Sequence, residues 1–451
     1  MADFFQTGAI ATLHRLGPSA VGRLEQELAQ FARETPIALV LPCHVREMGT
    51  KALRLIVREL RNVPYLKQIV VGMDGATRKR EWHRARNFFG QLPQKPVLLW
   101  NDGPRMTALR KRLEDAELST GLPGKGRNVW MCLGYVLASE QARMVAVHDC
   151  DIVTYSRELL ARLCYPVAHP SLGFDFCKGY YARVTDRLNG RVMRLLVTPL
   201  LRALKSILGL HPYLVYMDTF RYPLAGEFAL DLDLVRRVRI PHDWALEIGL
   251  LAEVFRNCAP RAICQSELCD AYDHKHQDLS PRDPDKGLNK MASDITKSFL
   301  RRMAAEGIKL DTGLFDTLLS AYSRQAEDTL RFYAAEAAIN GLEYPRHEEE
   351  MAVGFTPPRR PSEPRRSEGE APEMVAALRR GWRLGAADFL QRRSEKLGRR
   401  GQRHERASER RETDTDRAER LVWEHLTTVP PRKERSMRLS GTPLRPSTSD
   451  L

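Results

Sequence analysis

Two aspartates one residue apart, in Asp149-Cys150-Asp151, close an apolar run at residues 144–148. Carboxylates spaced this way at the end of a strand can hold a hard divalent cation against a diphosphate, and the cation would neutralise that group as it leaves. An Asp-x-Asp alone is equally what a loop with helix-capping aspartates looks like, so its surroundings decide. About one helix upstream, Gly124-Lys125-Gly126 offers flexible backbone and one cation to a phosphate-bearing ligand. It is not a P-loop: Gly126 stands where Ser or Thr must bind magnesium, and Ser119 where the first glycine belongs. Later in the chain, Tyr272-Asp273-His274-Lys275-His276 carries two imidazoles that could complete the coordination sphere of a metal held by Asp151. At most one of these two imidazoles is expected to face the site.

These residues need a frame, and the hydrophobic pattern supplies one. Short apolar runs at 36–41, 68–73, 96–100 and 144–148 alternate with helical spacing over 51–60, 79–89 and 128–141, the pattern of a doubly wound α/β domain. Polar turns follow the runs closely: Pro42-Cys43-His44, Asp74-Gly75, Asn101-Asp102 and Asp149-Cys150-Asp151. Ligands of open parallel sheets bind beyond the carboxyl ends of the strands, so these four turns predict one crevice. Helices are expected near 192–208 and 244–257, and 288–340 reads as mainly helical, with the amphipathic spacing of a packing or dimer element. After Gly354 the composition shifts to Pro, Arg, Ser and Glu, which predicts a largely disordered tail with helical periodicity only over 374–393.

The chain of 451 residues carries a net charge of +14. Residues 352–451 hold 23 Lys and Arg against 15 Asp and Glu, so more than half of that surplus sits in the tail. The body is mildly basic, which suits small polyanions, and no nucleic-acid partner is expected. The eight cysteines are scattered singly, without CxxC pairs or a spacing ladder, and read as reduced thiols. The first 17 residues lack the basic and apolar regions of a signal peptide, and the longest apolar stretch, 192–216, is broken by Arg194, Pro199, Arg202, Lys205 and Pro212. A cytoplasmic protein without a transmembrane segment is the expectation.

Taken in order, the apolar strand leading into Pro42, Gly-Lys-Gly at 124–126, Asp-x-Asp at 149–151, Asn189-Gly190-Arg191-Val192, Gly226-Glu227, Glu247-Ile248-Gly249 and a late histidine form a set. This set resembles the glucosyl-3-phosphoglycerate synthases, over residues 35–277. The resemblance implies a GT-A (Rossmann-like) α/β sheet with helices on both faces, binding a nucleotide sugar. It divides the chain into an N-terminal helical segment (1–34), a catalytic domain (35–280), a helical extension (281–350) and a largely disordered Arg-rich tail (351–451). The activity it implies is transfer of glucose, usually from UDP-glucose, to 3-phosphoglycerate with retention, aided by Mg²⁺ or Mn²⁺.

By position, the resemblance puts Pro42, Glu47, Asp74, Lys125, Asp149 and Cys150 at the nucleotide sugar. Asp151 and His276 are its metal ligands, and Asp151 and Glu247 its catalytic carboxylates. Gly190, Arg191, Val192, Met193, Gly226 and His274 are its acceptor contacts, with the Arg191 fork suited to an oxyanion. Two other readings stand beside it: a related transferase using GDP-mannose or another anionic acceptor, and a non-catalytic protein whose basic tail grips nucleic acid or a membrane surface. The C-terminal helices point to a possible homodimer.

Overall fold

The structure is a computed structural model and describes residue 6 and residues 8–274, 287–354 and 374–384. In chain order its strands are β1 (Ala11–Leu13), β2 (Ile37–His44), β3 (Leu66–Asp74), β4 (Val97–Trp100), β5 (Met144–Val147), β6 (Phe176–Tyr181), β7 (Phe228–Asp231) and β8 (Ile263–Cys269). Its helices are α1 (Val21–Phe31), α2 (Lys51–Leu60), α3 (Lys79–Phe89), α4 (Pro104–Asp115), α5 (Lys125–Ser139), α6 (Arg157–Ala168), α7 (Thr198–Leu208), α8 (Pro212–Thr219), α9 (Leu232–Arg237), α10 (Leu246–Asn257), α11 (Gly287–Ala305), α12 (Thr312–Ile339) and α13 (Arg346–Val353). A further helix, α14, covers 374–384.

The strands form one eight-stranded sheet in the order β1-β8-β6-β7-β5-β2-β3-β4. All neighbours are parallel except β7, which runs antiparallel to both β5 and β6. The sheet is therefore mixed, with a parallel half carrying the crevice of an open α/β fold. β2 shows why its residues read as an unbroken apolar run: Ala38 and Val40 enter one core, while Ile37, Leu39 and Leu41 enter the other. The first core is closed by α5, α7, α8, α10, α11 and α12, and the second by α1, α2, α3 and α6.

The N-terminal segment differs from its helical expectation, because residues 11–13 pair in parallel with β8 and extend the sheet by one edge strand before α1 begins. In the tail, a helix lies within residues 374–393, where the periodicity places one. α14 buries Met374, Leu378 and Trp382, with the Trp382 ring 4.8 Å from that of Phe315 on α12. The rest of the tail lies outside the described residues. Among the described residues, no helix is long and apolar enough to cross a membrane.

Candidate active site

β2 runs three residues further than its apolar run, pairing Pro42 with Gly72, Cys43 with Met73 and His44 with Asp74. A proline is tolerated there for a definite reason. The Val40 carbonyl accepts from His148 N on the β5 side, and β5 pairs with β2 no further than Val40. Two residues on, Pro42 turns its backbone to that same side, where no strand is left to receive an N–H. The gap beyond β5 is the crevice. Glu47, on the short 3₁₀ turn Val45–Glu47 after β2, lies near enough to Asp151 for its charge to be felt there.

Asp149 follows β5, Lys125 opens α5, and Glu247 lies in the first turn of α10. Lys125 Nζ lies 2.7 Å from Asp149 Oδ1 and 3.0 Å from Glu247 Oε1, so one ammonium joins three elements. Burial alone would discharge this ammonium, but Asp149 and then Glu247 outweigh it and raise its pKa. The same pairing holds the Asp149 carboxyl below the usual range against the pull of its own burial. Asp151 has the opposite environment: burial, then the negative charges of Asp149, Glu47 and Glu227, push it up to about 7. Surplus carboxylate charge of this kind suits a divalent cation with oxygen ligands. Among the described residues no three His, Cys, Asp or Glu side chains converge closely enough to hold an ion by themselves. Any ion here needs ligands beyond Asp151, from bound phosphate or from His276, which lies outside the described residues.

The chain after β8 returns along the Asp-Cys-Asp stretch. Val153 N donates to the Asp273 carbonyl at 2.8 Å, Asp273 N donates to Thr154 Oγ1 at 3.2 Å, and His274 bridges to Ile152. His274 thereby comes close enough to favour the ionised form of Asp149. The loop is moored by Glu227, fully buried, which accepts from the hydroxyls of Tyr181 and Tyr272 at 2.7 Å each. Those two rings stack with centroids 3.7 Å apart. Cys150 turns its thiol into the core beneath the crevice, against that of Cys43, and leaves only its main chain for a ligand.

Gly226 closes the floor beside Asp149 and Lys125. Asp74 at the end of β3 accepts from Asn101 Nδ2 at 2.7 Å, and burial raises its pKa despite that bond.

Residues 189–193 form a separate cluster, reached from the carboxylates through three tyrosines. Gly190 turns with φ 76°, a left-handed conformation open to glycine, and its α-carbon faces the Tyr222 hydroxyl. Tyr222 packs on Tyr181, with centroids 5.4 Å apart. Arg191 Nη2 donates to the Glu348 carbonyl at 3.5 Å. Val192 is buried in the core and Met193 packs against it, so these two shape the loop from beneath.

Five side chains with no role of their own in the sequence reading belong to this site. Glu227 moors the histidine loop, and Tyr181 and Tyr272 are its partners. Arg183 donates to the Tyr222 hydroxyl at 3.3 Å next to Gly190. Lys178, 1% exposed on β6, donates from Nζ to the Ala225 carbonyl, and burial draws its pKa down to about 8. A lysine inside the apolar run of β6 was the available signal for the last.

No protein-family model matches the chain. It is 46% identical over 353 residues to the glucosyl-3-phosphoglycerate synthase of Persephonella marina, covering 78% of this chain and 87% of that protein. It is 39% identical over 356 residues to the glucosyl-3-phosphoglycerate synthase of Methanococcoides burtonii, covering 78% and 86%. Among solved structures, glucosyl-3-phosphoglycerate synthase from Mycobacterium tuberculosis in complex with Mn²⁺, UDP-glucose and phosphoglyceric acid is 23% identical, covering 67% of this chain and 89% of that one at a TM-score of 0.47. By its two long sequence matches, the chain belongs to the glucosyl-3-phosphoglycerate synthase family.

Proposed function

We propose that this protein transfers glucose from UDP-glucose to 3-phosphoglycerate with retention, giving glucosyl-3-phosphoglycerate. The observation that carries the reading is the three-way contact of Lys125 with Asp149 and Glu247 beside Asp151 at the carboxyl end of the parallel strands. Pro42, Glu47, Asp74 and the main chain of Cys150 bound the nucleotide side of the crevice, and Lys125 and Asp149 lie at the diphosphate and donor sugar. Gly190 and Arg191 hold the acceptor's anionic groups, with Val192 and Met193 shaping their loop, and Gly226 and His274 line the space between. A planar guanidinium matches a phosphate or carboxylate.

Asp151 and His276 are the residues that would hold Mg²⁺ or Mn²⁺. Bound there, the ion would supply positive charge to offset the negative charge that accumulates on the departing diphosphate. Glu247, fixed by Lys125, orients the sugar or the acceptor hydroxyl, and the departing phosphate oxygen takes the hydroxyl proton, so no protein base is required. The reaction belongs in the cytoplasm. Along α12, Phe332 and Ile339 are 61% and 85% exposed, in keeping with a homodimer through the helical extension.

The test is product analysis after mixing the protein with each sugar nucleotide, 3-phosphoglycerate and Mg²⁺. The expected outcome is UDP release from UDP-glucose that depends on 3-phosphoglycerate, with a glucosylated acid as product. Release only from GDP-mannose, or only with another acceptor, would reassign the substrates, and no release with any pair would end the reading.

A further inference from the structure

Arg194 lies one residue past the segment read above as the acceptor loop, at the start of a five-residue π-helical turn (Met193–Val197) that leads into α7. It is 5% exposed, yet nearly all its donors are used. Nε donates to the Asn189 carbonyl at 3.0 Å and Nη2 to the Leu188 carbonyl at 3.1 Å, the two carbonyls just before Gly190. On its other edge the guanidinium meets Glu349 of α13 in a two-pronged pair, with Nη1 2.7 Å from Oε2 and Nη2 2.5 Å from Oε1. Glu349 is 1% exposed, and the ring of Tyr333 on α12 lies 5.2 Å from the guanidinium carbon. Two further contacts join the same segments: Glu343 N donates to the Asp186 carbonyl at 2.9 Å, and Arg191 Nη2 reaches the Glu348 carbonyl.

We propose that the Arg194–Glu349 pair is a strut through which the C-terminal helix α13 sets the conformation of the acceptor loop, making Glu349 and Arg194 positioning residues for acceptor binding. The inference rests on the reading of residues 189–193 as that loop. A buried ion pair adds little stability compared with well-packed apolar side chains, because both charges must be stripped of water. What a fork of fixed geometry supplies is direction: one plane of donors ties two loop carbonyls to one carboxylate on a separate helix. With that carboxylate neutralised, the guanidinium keeps its charge inside the protein and moves towards water, taking the Leu188 and Asn189 carbonyls with it. The donor side is held independently by Lys125, Asp149 and Glu247 and has no contact with the strut in this network.

Glu349→Gln separates the possibilities, with Arg194→Lys as a milder variant that keeps the charge and loses the fork. The expected result for Glu349→Gln is a KM for 3-phosphoglycerate raised about tenfold or more, with the KM for UDP-glucose within about twofold of wild type. Arg194→Lys should show the same split to a smaller degree. Glu350→Gln, which removes only a pair with Arg346 inside α13, should leave both constants unchanged. Amide hydrogen exchange supplies a readout apart from activity: residues 186–194 should exchange faster in both strut variants, while β2 and β3 keep their protection. Equal changes in both KM values, or a lower Tm with an unchanged acceptor KM, would overturn the proposal. If Glu349→Gln does not fold, Arg194→Lys and its exchange pattern decide. Wild-type protein inactive on 3-phosphoglycerate would instead refute the substrate reading, and the exchange result would still judge the strut.

Discussion

The α-carbon of Gly226 lies so close to Asp149 that a methyl group on it would come within 2.4 Å of Oδ2 and 2.8 Å of Lys125 Nζ. Neither group can yield freely, because Lys125 is also tied to Glu247. Gly226→Ala should therefore push apart the pair that orders the crevice while leaving the surrounding core in place. The expected outcome is a fall in kcat of about 100-fold, from a displacement of about 1 Å, with a Tm lowered by only a few degrees. Wild-type turnover in this variant would remove the Lys125–Asp149 pair from the reaction.

Glu247 is tested by separating orientation from binding. Glu247→Ala should cut kcat by about 100-fold or more, while the Kd for UDP, measured by calorimetry, stays within about twofold. Glu247→Gln keeps an oxygen for Lys125 and should retain more turnover than the alanine variant. Equal activity in both variants would argue that the carboxylate's charge, and not the oxygen it places on Lys125, is what the reaction needs.

Asp151 carries the metal prediction. Chelator should abolish turnover and added Mn²⁺ or Mg²⁺ restore it. Asp151→Asn should then require about tenfold more Mn²⁺ for half-maximal binding, followed by loss of the free-ion paramagnetic signal as well as by rate. An unchanged Mn²⁺ titration would place the ion elsewhere.

Lys178 gives a pH signature with a defined sign. Its pKa falls from the usual 10.5 to about 8 chiefly through burial, partly offset by Glu247 and Glu227. A depressed lysine pKa means that the folded state is penalised for the charge at every pH below about 8. The penalty fades as pH rises from about 8 towards 10.5, where the unfolded chain loses the same proton. Lys178→Met removes the titration, so its stability relative to wild type should be greatest near neutral pH and decline between about pH 8 and 10.5. Urea midpoints for both proteins at about pH 7 and 10 check this, and a constant difference would show that Lys178 titrates normally.

The parts of this fold that were legible in the sequence are those whose cause is local. β2, β3, β4 and β5 stand out because buried strands of a parallel sheet need apolar residues on both faces. Asp149, Asp151 and Lys125 stand out because their motifs are contiguous. β6 was hidden by Lys178, and β1 because three residues at a sheet edge leave no periodicity. Glu227, Arg183 and Glu349 could not be read for a different reason. Each acts through a partner far along the chain, Glu349 through an arginine 155 residues away, and such a pairing exists only once the helices have packed.

The tail offers the last test, because packing divides what composition had joined. Met374 and Leu378 are fully buried and Trp382 nearly so, while Gly381 fits so tightly against α11 that a methyl group on it would meet Thr296 Cβ at 2.5 Å. A chain ending after residue 384 keeps this helix and should match the full-length protein in Tm and turnover. A chain ending after Gly354 strips it away and uncovers the apolar side chains of α11 and α12 beneath. Losing a face anchored by a buried tryptophan costs about 3–5 kcal/mol by comparison with single large-to-small core substitutions. The shorter chain should accordingly unfold at distinctly lower urea and tend to aggregate, with kcat preserved at low temperature if the crevice is intact. Equal urea midpoints for the two truncations would show that α14 is not part of the folded core. Loss of turnover in the longer one would mean that residues 385–451 take part in the reaction.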